Sequence, residues 1–141
     1  MSDTIETYIA EELEPHHYGI ALLIQRMYGE TYARRHNGRK EEWIEYCDGT
    51  WRTRPGIYHD LKNKLSSEVR PLIRKVLSTL RDACHQTQDY YTLGSDKLER
   101  LSRIIEMLSD TNVKDTILKE CQSVMFVTIE ENDDESEESD E

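Results

Sequence analysis

Apolar residues recur at helical spacing in the first third of the chain. Pro15 suits the first turn of a helix, because its missing N–H is not needed there. The segment that follows Pro15 places a set of apolar residues on one helical face: Ile20, Leu23, Ile24, Met27 and Tyr28. The pattern predicts an amphipathic helix. Residues 1–14 hold five acids and no base, and we expect them to form a flexible acidic arm.

A longer helical stripe runs from Ile57 to about Ala83. Its apolar members are Tyr58, Leu61, Leu65, Val69, Leu72, Ile73, Val76, Leu77 and Leu80. Pro71 lies inside the stripe and must kink or split the helix, since proline removes a hydrogen bond and clashes with the preceding turn. After a predicted linker at residues 84–95, Ser95 and Asp110 are candidate N-caps of two further helices.

The segment "EWIEYCDGTWR" departs from the helical period. Trp43 and Cys47 alternate with Ile44 and Tyr46, as expected for a strand, and Asp48-Gly49 is a favoured pair for a tight hairpin turn because both central residues need positive φ. The sequence therefore predicts a mainly α protein: a helical bundle with one small β-hairpin at about residues 42–53.

Charge divides the chain into three parts. The net charge is −11, but residues 130–141 hold nine acids and no base, and residues 15–129 carry 18 basic against 15 acidic groups. We expect a helical domain over residues 15–129 and a disordered acidic tail over 130–141, because the tail has too few apolar residues to fold. The tail could keep the chain soluble, or it could mimic nucleic acid and compete for a basic surface.

Several classes of function lack their signatures. No run approaches the roughly 20 apolar residues of a membrane span, and no signal peptide is visible. The three cysteines lack close pairs, which favours a reduced, intracellular protein. The six glycines match no phosphate-binding loop, and neither a metal-ligand spacing nor a catalytic constellation is present. We expect no enzymatic activity, no cofactor and no metal.

Basic residues cluster around the predicted hairpin: Arg34, Arg35, Arg39, Lys40, Arg52 and Arg54. Bases beside exposed aromatic rings are typical of single-strand binding surfaces, where cations meet phosphates and rings stack on bases. In the alternative interpretation, Trp43 and Trp51 pack under the helices and the arginines pair with Glu41 and Glu42. Large aromatic residues are usually mostly buried, which favours this alternative.

Taken in order, these segments resemble the helical amino-terminal domain that precedes the superfamily 3 helicase core in primase-helicases of poxviruses, other large DNA viruses and many phages. The matching pieces are "IALLIQRMYGETYARR", "EWIEYCDGTWR", "GIYHDLKNKLSSEVRPLIRKVL" and "RLSRIIEMLSDTNVKDTILKECQSVMF". The last piece carries the family's spaced residues at Val113, Lys114, Ile117, Glu120 and Cys121. The resemblance implies that Trp43, Gly49 and Trp51 are structural landmarks of the domain.

The family's domain leads into an ATPase core with Walker motifs, and the family oligomerises through that core; those motifs are absent here. The chain is then a stand-alone relative, a decayed gene product or a piece of a longer protein. The resemblance implies a non-catalytic module of viral DNA replication that positions single-stranded or forked DNA, or docks on a primase-helicase or another replisome protein, and homo-oligomers are compatible with it. The rival hypothesis is a protein-interaction module that uses its helix faces and acidic tail and does not bind nucleic acid.

Overall fold

The computed structural model describes residues 2–85 and 95–127. In chain order the elements are α1 (Ser2–Glu11), α2 (His17–Tyr28), β1 (Tyr32–Asn37), β2 (Lys40–Cys47), β3 (Thr50–Arg52), α3 (Ile57–Lys64), a π-helical turn (Leu65–Val69), α4 (Arg70–His85), α5 (Ser95–Met107) and α6 (Thr111–Val124). The mainly α prediction is confirmed. No helix in the described part is both long and apolar enough to cross a membrane.

The sheet is larger than predicted. β1, β2 and β3 form a three-stranded antiparallel meander, so the expected hairpin between β2 and β3 is joined by a second hairpin between β1 and β2. β1 was not predicted, because "YARRHN" is polar and carries little of the apolar alternation that marks a strand. Backbone pairing with β2, rather than its own pattern, holds β1 in the sheet.

The amino-terminal residues are helical and packed, which overturns the expectation of a flexible arm for residues 1–14. Ile9 and Leu13 are fully buried in the main core, while Ile5 and Tyr8 pack against it. These positions have the i, i+3, i+4 spacing of an amphipathic helix. Two acids of α1 pair with neighbouring helices: Glu6 contacts Lys75 of α4 at 3.1 Å, and Glu11 contacts Lys97 of α5 at 2.8 Å. High charge at the exposed positions had obscured the apolar spacing.

The main core lies between the helices and one face of the sheet. Its fully buried large side chains include Ile20, Leu23 and Ile24 from α2, Leu61 and Leu65 beside them, Ile73 from α4, and Leu101, Ile104 and Leu108 from the α5 region. α6 packs along α2, and α4 packs along α5. No polar or charged residue of the described part is classed as buried.

The long helical stripe is divided before Pro71, which confirms the prediction of a kink or split. The N–H of Arg70 reaches back five residues to the carbonyl of Leu65, the pattern of a π-helical turn. In a regular α-helix each four-residue step drifts by about 40°. The wider turn offsets that drift and keeps Leu65, Val69 and Ile73 on one fully buried line.

The start of α6 follows the predicted capping, whereas the start of α2 differs from the prediction. The carboxylate of Asp110 accepts hydrogen bonds from the N–H groups of Asn112 (2.8 Å) and Val113 (3.2 Å), which confirms Asp110 as the N-cap of α6. α2 begins at His17, after Pro15; its cap is His16, whose Nδ1 accepts from the N–H of Gly19 at 2.9 Å. The predicted acidic tail and most of the predicted linker lie outside the described residues.

Candidate nucleic-acid interface

Two tight turns at opposite ends of β2 set the geometry of the sheet. Asp48 and Gly49 have φ of 53° and 85°, so both central residues of the β2–β3 turn adopt the positive φ that the sequence predicted. In the β1–β2 turn Gly38 has φ of 66°, and Asn37 pairs directly with Lys40. We call residues 38–40 the basic turn, because two of its three residues, Arg39 and Lys40, are basic.

Directly paired residues share a face of the sheet, and successive pairs alternate between faces. The pairing Arg34–Trp43 therefore faces one side, and the neighbouring pairing Ala33–Ile44 faces the other. We call the Trp43 side the inner face, because Trp43 belongs to the main core, and the Ile44 side the outer face.

On the inner face Trp43 is a core residue. Its side chain is 8% exposed, and the Arg34 guanidinium lies 5.3 Å from its ring centroid. Trp43 Nε1 and Arg34 Nε are buried without a hydrogen-bond partner. A ring in this position anchors the sheet to the helices and is closed to a nucleic-acid base.

The outer face carries a separate, small apolar cluster. Ala33 and Ile44 are buried there, with Trp51 and Val127 packed against them. Tyr46 pairs with Trp51 across the strands, and their ring centroids are 5.3 Å apart in an edge-to-face arrangement. Tyr46 is 47% exposed, so this aromatic pair presents ring surface to solvent.

Two of the six candidate bases pair with acids on the neighbouring strand. Arg34 contacts Glu41 at 3.4 Å and Arg35 contacts Glu42 at 2.9 Å. The Arg35 and Glu42 side chains are only 21% and 20% exposed, respectively. These contacts follow from the antiparallel register of β1 and β2, and they are the pairings that the alternative interpretation anticipated.

Arg52 and Arg54 are also paired. Arg52 contacts Asp48 at 3.2 Å across the turn. Arg54 bridges Glu45 at 2.5 Å and Asp60 at 2.7 Å, and these hydrogen bonds raise the pKa of its guanidinium. Arg54 thereby ties β2 to the start of α3, which is a structural role.

Arg39 and Lys40 differ from the other four bases. Both are exposed, and neither has an ion-pair partner among residues 2–85 and 95–127. Lys40 shares the outer face with Tyr46 by register, six positions away, or about 20 Å along the strand. The outer face therefore has an aromatic pair near one end and Lys40 at the other, with Arg39 next to Lys40 in the turn.

A polar cleft lies on the opposite side of this turn, between β2 and α6. It is lined by Glu41, Thr116, Lys119, Glu120, Gln122, Ser123 and Phe126. Its charges are mixed, so it has no evident preference for an anion or a cation. Within the described residues no cluster of histidine, cysteine and acidic side chains could hold a metal ion.

The fold is that of a mainly α domain with a small three-stranded sheet inserted between its second and third helices. A family model described as "D5 N terminal like" matches residues 21–137. The chain belongs to this family, an amino-terminal domain of the D5-type primase-helicases of viral DNA replication. In those proteins the domain is separate from the helicase core. A search of curated proteins finds no significant match.

The exposed position of Tyr46 beside Trp51 was not predicted from the sequence. The alternation in β2 places Tyr46 and Ile44 on the face opposite Trp43, but it does not show which residue of β3 lies beside Tyr46. Only the pairing with β3 showed that Tyr46 and Trp51 share a face.

Proposed function

We propose that the chain is a non-catalytic module that positions single-stranded DNA during replication, and that the outer face of its sheet is the contact surface. The observation that carries the proposal is the shared face of the Tyr46–Trp51 pair and Lys40, with Arg39 adjacent in the turn. An exposed ring offers a stacking platform, and unpaired cations contact phosphates; together these are the elements of single-strand recognition.

The ion pairs limit how strong this contact can be. Arg34, Arg35, Arg52 and Arg54 are each held by carboxylates, so only Arg39 and Lys40 are available without breaking a contact. With two phosphates neutralised, the logarithm of the binding constant should fall with the logarithm of salt concentration with a slope of about −1.4. This modest electrostatic term suits a domain that positions DNA held mainly by other parts of an assembly.

The test is fluorescence anisotropy with a labelled single-stranded oligonucleotide across a salt series, using the full chain. Tyr46→Ala should weaken binding by about fivefold or more, because a stacked base contributes about 1–3 kcal/mol. Tyr18→Ala is the matched control, since Tyr18 is 51% exposed on α2, away from the sheet.

Charge is tested in the same way. Arg39→Ala with Lys40→Ala should weaken binding and flatten the salt slope. Arg74→Ala with Arg81→Ala removes the same charge from exposed positions of α4 and should change neither. If neither the full chain nor a chain with the acids of residues 130–141 replaced by amides binds at low salt, or if both charge pairs act equally, the outer face is not a DNA surface and the protein-docking hypothesis takes its place.

A further inference from the structure

The chain leaves the described fold beside β1. The N–H of Arg34 donates to the carbonyl of Met125 at 3.1 Å, and the N–H of Val127 donates to the carbonyl of Arg34 at 2.9 Å. Phe126 thus forms a parallel bridge with Arg34, and its ring lies 5.0 Å from the His36 ring. Residues 125–127 add to the edge of β1 that β2 does not occupy.

The bridge between Phe126 and Arg34 is parallel. Residues 125–127 therefore follow the direction of β1, from Arg34 toward Asn37 and the basic turn. Four residues of fully extended chain span about 13 Å. That reach is long enough for Glu130 and Glu131, the first acids after Val127, to contact the basic turn.

The charges at the two places are complementary. Residues 130–141 carry nine acids and no base, and the basic turn carries two exposed cations without a partner in the described part of the fold. A short tether also holds the acidic segment at an effective concentration in the millimolar range around the turn. The Asp48–Gly49 turn lies at the far end of the eight-residue strand β2, and the neighbouring Arg52 already pairs with Asp48.

We propose that residues 130–141 bind the basic turn of their own chain and thereby compete with nucleic acid for it. The contact between the tail and the basic turn is inferred from the strand direction and the charges alone, whereas the competition with nucleic acid also rests on the proposed function. The acidic segment then acts as a built-in competitor: DNA must displace it to reach Arg39 and Lys40. Raised salt should release it, because exposed ion pairs are screened.

Paramagnetic NMR on the full chain tests the contact. A nitroxide is attached at Ser139→Cys in a background with Cys47→Ser and Cys84→Ser, while the buried Cys121 is retained. At low salt the amide signals of Gly38 and Arg39 should broaden well beyond those of Gly49, the internal control at the opposite end of the sheet.

A second labelled chain, with its nine tail acids replaced by glutamine or asparagine, separates charge attraction from simple tethering. Broadening at the basic turn should fall in this variant, and in the acidic chain at high salt. Equal broadening in both chains, or equal broadening at both turns, would overturn the inference.

DNA binding tests the competition independently of the contact. Neutralising the tail should tighten single-strand binding by about fivefold, the effect of releasing two exposed ion pairs. Unchanged affinity would refute competition even if DNA binds. Broadening at the basic turn without DNA binding by either chain would support the tail contact. It would refute the proposed function instead.

Discussion

Replacing Trp43 by alanine should separate a structural tryptophan from a surface one. Trp43 is 8% exposed within the main core, whereas Trp51 is half-buried at the edge of the small outer cluster. A buried tryptophan removes about 150–250 Å² from water. At about 25 cal/mol per Å² that area corresponds to about 4–6 kcal/mol, near the 3–5 kcal/mol range of large-to-small core substitutions.

We therefore expect Trp43→Ala to lower the free energy of unfolding by about 4 kcal/mol. Trp51→Ala makes the same chemical change at a half-buried site and should cost about 1–2 kcal/mol. Removing the Trp43 ring also takes away the surface over which the Arg34 guanidinium lies at 5.3 Å. The loss of stability should therefore affect the whole β1–β2 hairpin rather than β2 alone.

The assay is urea denaturation followed by far-ultraviolet circular dichroism. With a slope of about 2 kcal/mol per molar urea, Trp43→Ala should move the midpoint down by about 2 M and Trp51→Ala by less than 1 M. Equal shifts for the two variants, or a shift below about 0.5 M for Trp43→Ala, would contradict the assignment of Trp43 to the core.

Three further perturbations probe other parts of the fold. Gly49→Val should destabilise the protein by about 1–2 kcal/mol in thermal melts, because a β-branched residue resists the φ of 85° even though a Cβ there meets no atom within 4 Å; an unchanged melting temperature would exclude this turn geometry. Burial raises the pKa of the Cys121 thiol to about 12, so in a Cys84→Ser background a maleimide at pH 8 should label exposed Cys47 quickly and Cys121 only after unfolding; rapid double labelling would show that α6 opens. The hydroxyl of Tyr28 donates to Glu68 at 2.6 Å and holds the Glu68 pKa below its usual value. The stability that this bond contributes is therefore fully present above the Glu68 pKa of the unfolded chain, and it is lost as pH falls through the lower Glu68 pKa of the folded protein. Glu68→Gln should therefore lower stability by about 1 kcal/mol at pH 7, with the difference shrinking in urea titrations toward pH 3; a constant difference would place the effect elsewhere.

Helices α2 to α6 and the β2–β3 hairpin were largely predictable because their signals are local. The spacing of apolar residues marked α2, the α3–α4 stripe, α5 and α6, and Asp110 marked the start of α6 through a bond to its own first turn. The positive φ at Asp48 and Gly49 followed from a two-residue turn motif. Each of these depends on residues a few positions apart, which a single sequence displays directly.

The candidate site was only partly predictable because its decisive contacts are not local. All six bases were named from the sequence, but the register between β1 and β2 decided that Arg34 and Arg35 are neutralised. Nothing in the spacing of Arg39 and Lys40 distinguished them from the other four. The proposed stacking surface at Tyr46 likewise depends on the pairing with β3, which places Trp51 opposite Tyr46.

The sequence by itself determined a mainly α protein with an Asp-Gly hairpin, a mildly basic body and an acidic carboxyl-terminal stretch. Only the tertiary structure decided that α1 packs on the core, that Trp43 is enclosed while Trp51 lies at a surface, and that residues 125–127 run beside β1. The physical reason is the same in each case. Burial and charge pairing depend on which distant segments meet, and apolar periodicity specifies that a face is buried without specifying its partner.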